Sequence, residues 1–269
     1  MSLARPMPDR DRLSATAALL LIAYGLARFA FLPSLGVDLP ILGLVLTIEV
    51  NSRSVMVLLA TALAVSGCDS VVRAHPMAAR GLARAWIVPA LAALAFGDAL
   101  ARVPLSAGWW FGLAVATVSV LAAITLEFVL VDPSDSRAPP AAAALSGVAL
   151  LALAAFFFDL RASGSRAVFL TPLVFAATAA VVGRILAAGP SGWPGARYPL
   201  AVGGIAGQLA FALHYWPLHP IQFALLLTLS AYLGLVFVRE LRSGNLGPRT
   251  ALELGVVAAS VCGLALLLG

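Results

Sequence analysis

Gly108–Val131, GWWFGLAVATVSVLAAITLEFVLV, is 24 residues long and carries a single charge, Glu127. A helix needs about 20 apolar residues to cross roughly 30 Å of hydrocarbon, so this stretch is long enough to span a bilayer. Lipid offers the backbone no hydrogen bonds, which leaves helices or a closed barrel as spanning structures. Barrel strands alternate apolar and polar positions in pieces of about ten residues. The stretch is continuously apolar instead, so a helix is expected.

The same pattern recurs on both sides of it. Apolar runs lie near 13–32, 52–73, 84–103, 108–131, 140–160, 167–188, 198–215, 218–240 and 250–268, nine in all. Hydrophobic residues make up 62% of the 269, charged residues only 11%, and the mean hydropathy is +1.01. A soluble domain carries roughly a quarter charged residues. The expectation is therefore an all-α integral membrane protein. It is a bundle of about nine transmembrane helices forming one polytopic membrane domain over 1–269. The first run follows Arg5, Arg10 and Arg12, contains Arg28, and ends in no small-x-small site. Those features predict an uncleaved anchor rather than a signal peptide.

The formal net charge is +5, and every basic residue is Arg. The charges are spread along the breaks between runs, which suits membrane orientation better than nucleic-acid binding. With the N-terminus cytoplasmic, twelve Arg fall on the inner side: Arg5, Arg10, Arg12, Arg73, Arg80, Arg84, Arg137, Arg184, Arg197, Arg239, Arg242 and Arg249. Five fall outside: Arg28, Arg53, Arg102, Arg161 and Arg166. Cytoplasmic loops carry the excess of basic residues, so this frame is expected, with the C-terminus outside and a bacterial inner membrane as the location. Cys68 and Cys262 sit in apolar runs and read as small packing residues.

One stretch departs from the pattern. Leu35–Asn51 contains PILGLVLTIEV, residues 40–50, apolar but too short for an ordinary span. Runs of about 10–14 apolar residues are usually interfacial or re-entrant. Pro40 and Gly43 disfavour helix, and Val45, Thr47, Ile48 and Val50 favour strand. A short β-like hairpin or re-entrant segment at 35–51, folding near Gly43 on the outer side, is expected.

Ionisable residues inside spans are costly and mark candidate sites. Asp69 and Arg73, Asp98 and Arg102, and Arg249 and Glu253 are spaced four apart. Each pair shares a helix face near a membrane boundary and is expected to neutralise itself. Glu127 and Arg184 lie at similar inner depth and form a candidate intramembrane ion pair. Arg28 and Asp159 lie near the outer boundary. With Asp38 and Glu49 they form a candidate polar site. Gly203 and Gly207 make a GxxxG, beside which Gln208 is expected to bond across a helix interface. His214 and His219 flank the turn HYWPLHP, residues 214–220. Two imidazoles are weak metal candidates, because a site needs a third ligand. No metal and no cofactor are expected.

The sequence has no GxxxxGK[ST], HExxH, GxSxG or CxxC, and enzymatic chemistry is not favoured. A short first span, LPILGLVLTIEVN (39–51), SGCDSVVRAHP (66–76), EFVLVDPSD (127–135) and the HYWPLHP turn together resemble an uncharacterised family of polytopic bacterial membrane proteins, of Chloroflexota type. The resemblance implies no activity, ligand or site residue. The expected role is a non-enzymatic accessory or scaffold component that contacts membrane lipids and other membrane proteins, with no nucleic acid. The alternatives are a small-solute or lipid transporter and a membrane enzyme acting on a lipid head group.

Overall fold

The computed structural model describes residues 6–29, 35–41, 44–78, 82–189, 192–193, 195–244 and 247–267. Among them are nine helices and one two-stranded sheet. The order is α1 (Arg10–Phe29), β1 (Leu35–Ile41), β2 (Leu44–Val50), α2 (Ser52–Arg73), α3 (Ile87–Arg102), α4 (Ala107–Val129), α5 (Ala138–Ala162), α6 (Ala167–Ala187), α7 (Arg197–His214), α8 (Pro220–Ser243) and α9 (Pro248–Leu267). A short 3-10 turn, Leu82–Trp86, leads into α3.

Helix boundaries follow the local chemistry. Pro139 and Pro140 stand in the first turn of α5, where a missing N–H costs nothing. Pro220 opens α8, and Gly244 ends it at φ 72° with its N–H on the Glu240 carbonyl. Asn51 caps α2, its side chain accepting the Ser54 N–H at 2.8 Å.

Seven helices are long and apolar enough to cross a membrane, a composition compatible with a multi-pass membrane protein. Nine were expected, and α7 and α9 fall short by this measure. Helix α7 has only 18 residues, and Arg197, Gln208 and His214 dilute its apolar content. The apolar stretch of α9 among the described residues is Leu252–Ala265, shorter than a span.

Contacts divide the chain into two compact units, Met1–Phe128 and Val129–Gly269. In the first unit the helices alternate in direction. The Arg12 guanidinium near the start of α1 donates to the Ser70 carbonyl near the end of α2, at 2.6 Å. Arg53 at the start of α2 reaches Asp98 near the end of α3. Tyr24 donates to the Ala93 carbonyl at 3.0 Å, tying α1 to α3. Gly67 lets α2 approach α1: a Cβ there would stand 2.5 Å from Thr16 Cγ2.

The second unit is held most closely between α6 and α7. A Cβ on Gly203 would stand 2.7 Å from the Phe175 carbonyl oxygen and 2.9 Å from Ala179 Cβ. One turn on, a Cβ on Gly207 would stand 3.3 Å from Phe175 Cβ. Small residues allow such backbone approach. Gly234 does the same for α8, where a Cβ would meet Val202 Cγ1 at 2.6 Å.

Candidate functional site

The strands β1 and β2 pair antiparallel with Leu35 opposite Val50 and Ile41 opposite Leu44, leaving two connecting residues. A two-residue connection closes on a hydrogen-bonded pair, and pairs then alternate along the ladder. Ile41–Leu44, Leu39–Leu46, Val37–Ile48 and Leu35–Val50 therefore exchange the hydrogen bonds. Pro40–Val45, Asp38–Thr47 and Gly36–Glu49 turn their backbone groups to the outer edges. Pro40 fits this parity, because it has no N–H to give. Its place breaks the donor row on the outer edge of β1. The outer edge of β2, at Val45, Thr47 and Glu49, is unbroken.

The same alternation sorts the residue types. Leu35, Val37, Leu39, Ile41, Leu44, Leu46, Ile48 and Val50 share one face by register. Asp38, Thr47 and Glu49 share the other with Gly36, Pro40 and Val45. Among the described residues the strands pair with each other and make no extended contact with a helix. A lone hairpin is at best marginally stable in water and needs further strands or packing. This one carries an amphipathic pattern, and among the described residues no further strand pairs with it.

The helix ends hold most of the charges. Asp98 binds two guanidiniums, Arg53 at 3.2 Å and Arg102 at 2.7 Å, and Arg53 also donates to the Asp98 carbonyl at 3.0 Å. The sequence spacing gave Arg102 alone; Arg53 joins because α2 and α3 run side by side. Asp69 and Arg73 pair at 2.7 Å. The side chain of Arg249 lies outside the described residues, and Glu253 has an interaction of its own. Pairs this exposed contribute about 0–1 kcal/mol each.

Three residues of the candidate polar site belong to the first unit and one to the second. Arg28 is half-exposed in the last turn of α1, in the first unit. Asp38 and Glu49 fall on the polar face of the hairpin by register, and their side chains lie outside the described residues. Asp159 is 5% exposed near the end of α5, in the second unit. Glu127 and Arg184 are both buried, Glu127 in the first unit and Arg184 in the second, and each takes part in an interaction.

Gly203 and Gly207 face α6, but Gln208 does not. It is exposed, about 100° further round α7, which corrects its expected place in the interface. His219 is occupied as the cap of α8. Its backbone N–H donates to Gln222 Oε1 at 2.8 Å. Gln222 Nε2 then donates to the Ala265 carbonyl at 2.9 Å, fixing α8 to α9. His214 packs its ring edge-on against Tyr215, with centroids 5.4 Å apart. No group of three metal-ligating side chains occurs among the described residues.

Arg161, at the end of α5, was counted by the sequence only as an outer charge. It donates to the His214 carbonyl at 3.0 Å and the Trp216 carbonyl at 2.9 Å, and its guanidinium lies 5.5 Å from the Phe223 ring centroid. It satisfies carbonyls that the end of α7 leaves open. A helix-terminal Arg is the only signal the sequence carries for that role, and many Arg share it.

Residues 32–268 match the family described as "Protein of unknown function (DUF5656)". The chain belongs to the DUF5656 family. No curated protein and no solved structure matches it. The family match covers the hairpin and all helices after α1.

Proposed function

We propose that this DUF5656 protein is a non-enzymatic accessory or scaffold component of the bacterial inner membrane, with the hairpin as its docking element. The observation that carries this is the hairpin itself: an unbroken strand edge and, by register, an aliphatic face on a segment without extended helix contacts among the described residues. Several described charges at the helix ends serve neighbouring helices, as Arg53, Arg161 and Asp98 do, and others pair within their own helix, as Arg73 does with Asp69. That assigns them to assembly of the units rather than to a substrate.

The alternating directions of the helices support nine crossings in all. In the second unit, Arg161 sets the end of α5 beside the end of α7, and Gln222 sets the start of α8 beside the end of α9. Arg137, Arg184, Arg197, Arg239 and Arg242 stand at one end of that unit, and Arg161 and Arg166 at the other. The richer end is the cytoplasmic one under the positive-inside rule. The N-terminus is then cytoplasmic, and the C-terminus and hairpin are outside. The aliphatic face of the hairpin rests on the hydrocarbon boundary between the ends of α1 and α2.

Replacing residues 35–50 by a short Gly-Ser linker tests this. The variant keeps the detergent melting temperature of the helices but migrates as a smaller particle on native gels of mildly solubilised membranes. An unchanged particle size contradicts the docking role.

A further inference from the structure

We infer that the partner of the β2 edge is the β2 edge of a second copy of this chain, paired antiparallel about Thr47. This rests on the docking role and outer location proposed for the hairpin. Two copies in one bilayer share the membrane normal, so the two-fold axis of a dimer runs along it. A hairpin lying flat, aliphatic face toward the hydrocarbon, is perpendicular to that axis. Rotation by half a turn then reverses the strand direction and keeps the same face toward the lipid. Those are the requirements for joining two hairpins into one four-stranded antiparallel sheet.

The chemistry of the strand selects the register. Thr47 is the middle residue of β2, so centring there pairs all of Leu44–Val50 with its copy. Thr47 meets Thr47 of the second copy, and Glu49 meets Val45. No acid opposes an acid. Centring on Glu49 would set two carboxylates opposite one another, which is destabilising. Centring on Val45 would run the pairing into the two connecting residues. The other edge is unsuitable, because Pro40 removes one of the donors that an added strand needs. Both hairpins are also held at one depth by α1 and α2, which raises their effective concentration toward each other.

The test uses the full-length protein in native membranes with Cys262, an exposed thiol, changed to Ser. Thr47→Cys forms a disulfide-linked dimer under mild oxidation. Val45→Cys alone and Glu49→Cys alone cross-link weakly, because each lies four residues, roughly 13 Å, from its own copy. Co-expressed Val45→Cys and Glu49→Cys chains cross-link with each other. Thr47→Pro removes an edge N–H without touching the internal ladder. It weakens dimerisation in lipid nanodiscs by roughly 10- to 30-fold, the loss of two hydrogen bonds. Asp38→Pro, on the blocked edge, leaves it unchanged.

Equal cross-linking at 45, 47 and 49, or none at 47, overturns the self-pairing. A photo-cross-linker at residue 47 that captures a different protein also overturns it while leaving the docking role standing. Capture of lipid alone overturns both.

Discussion

The α6–α7 seam and the β1–β2 hairpin are built by opposite means. At the seam, backbones meet so closely that a single methyl on Gly203 would collide with the Phe175 carbonyl oxygen. In the hairpin the register pairs every residue of the two strands, but among the described residues an edge and, by register, an aliphatic face remain without extended helix contact. The difference separates what the chain needs in order to fold from what it holds available for something else. The seam therefore carries stability, and the hairpin carries the proposed docking role.

That contrast breaks most visibly at Gly203. Gly203→Leu is expected to destabilise the protein by about 2–3 kcal/mol, because an oversized side chain meets backbone that cannot move aside. At the adjacent Gly204, an added methyl would meet nothing within 4 Å. Gly204→Ala should be neutral or gain up to about 1 kcal/mol from helix propensity. Tryptophan-fluorescence melting in detergent compares the two. Equal losses would mean that the seam is not close-packed.

Arg161→Gln comes next. Removing a charged donor from two carbonyls should cost about 1–2 kcal/mol. Urea titration of the purified protein in mild detergent gives the value, and Arg161→Lys should recover part of it. Asn51→Ala tests the joint between the hairpin and the helices. Loss of this helix cap costs about 1 kcal/mol, and protease cleavage should rise at 50–54 before it rises in α7.

Smaller effects bound the comparison. Asp98→Asn leaves Arg53 and Arg102 without their carboxylate, yet the group is about one-third exposed, so the loss should stay below about 1 kcal/mol. Salt at high concentration should shrink the difference further. Gln208→Leu should change stability by less than about 0.5 kcal/mol, because its side chain is exposed. A large loss there would return Gln208 to the interface.

The helices were legible because a helix long and apolar enough to cross a membrane is written as an uninterrupted apolar run. The GxxxG of Gly203 and Gly207 was legible for a similar reason: periodicity of one turn puts both on one face. Gln208 was misplaced because adjacency in sequence is not adjacency on a helix. Asp69–Arg73 could be read from spacing alone, since both residues lie on one helix. Arg53–Asp98 could not, since it depends on which end of α2 meets which end of α3. Arg161 was invisible for a related reason: its acceptors are backbone carbonyls, which every residue carries. In the hairpin, Pro40 and Gly43 argued against helix in advance, but the place of Pro40 on the outer edge of β1 follows only from the register.

The docking role requires β2 to lie flat on the outer surface with its polar face to water. Seven single-cysteine variants at 44–50, in a Cys262→Ser background, measure this most directly. Intact spheroplasts are exposed to a membrane-impermeant maleimide, and the extent of labelling is read at each position. A period of two is expected: residues 45, 47 and 49 react from outside, and 44, 46, 48 and 50 are shielded. Uniform shielding, a period near 3.6, or reaction only after the membrane is opened would contradict it.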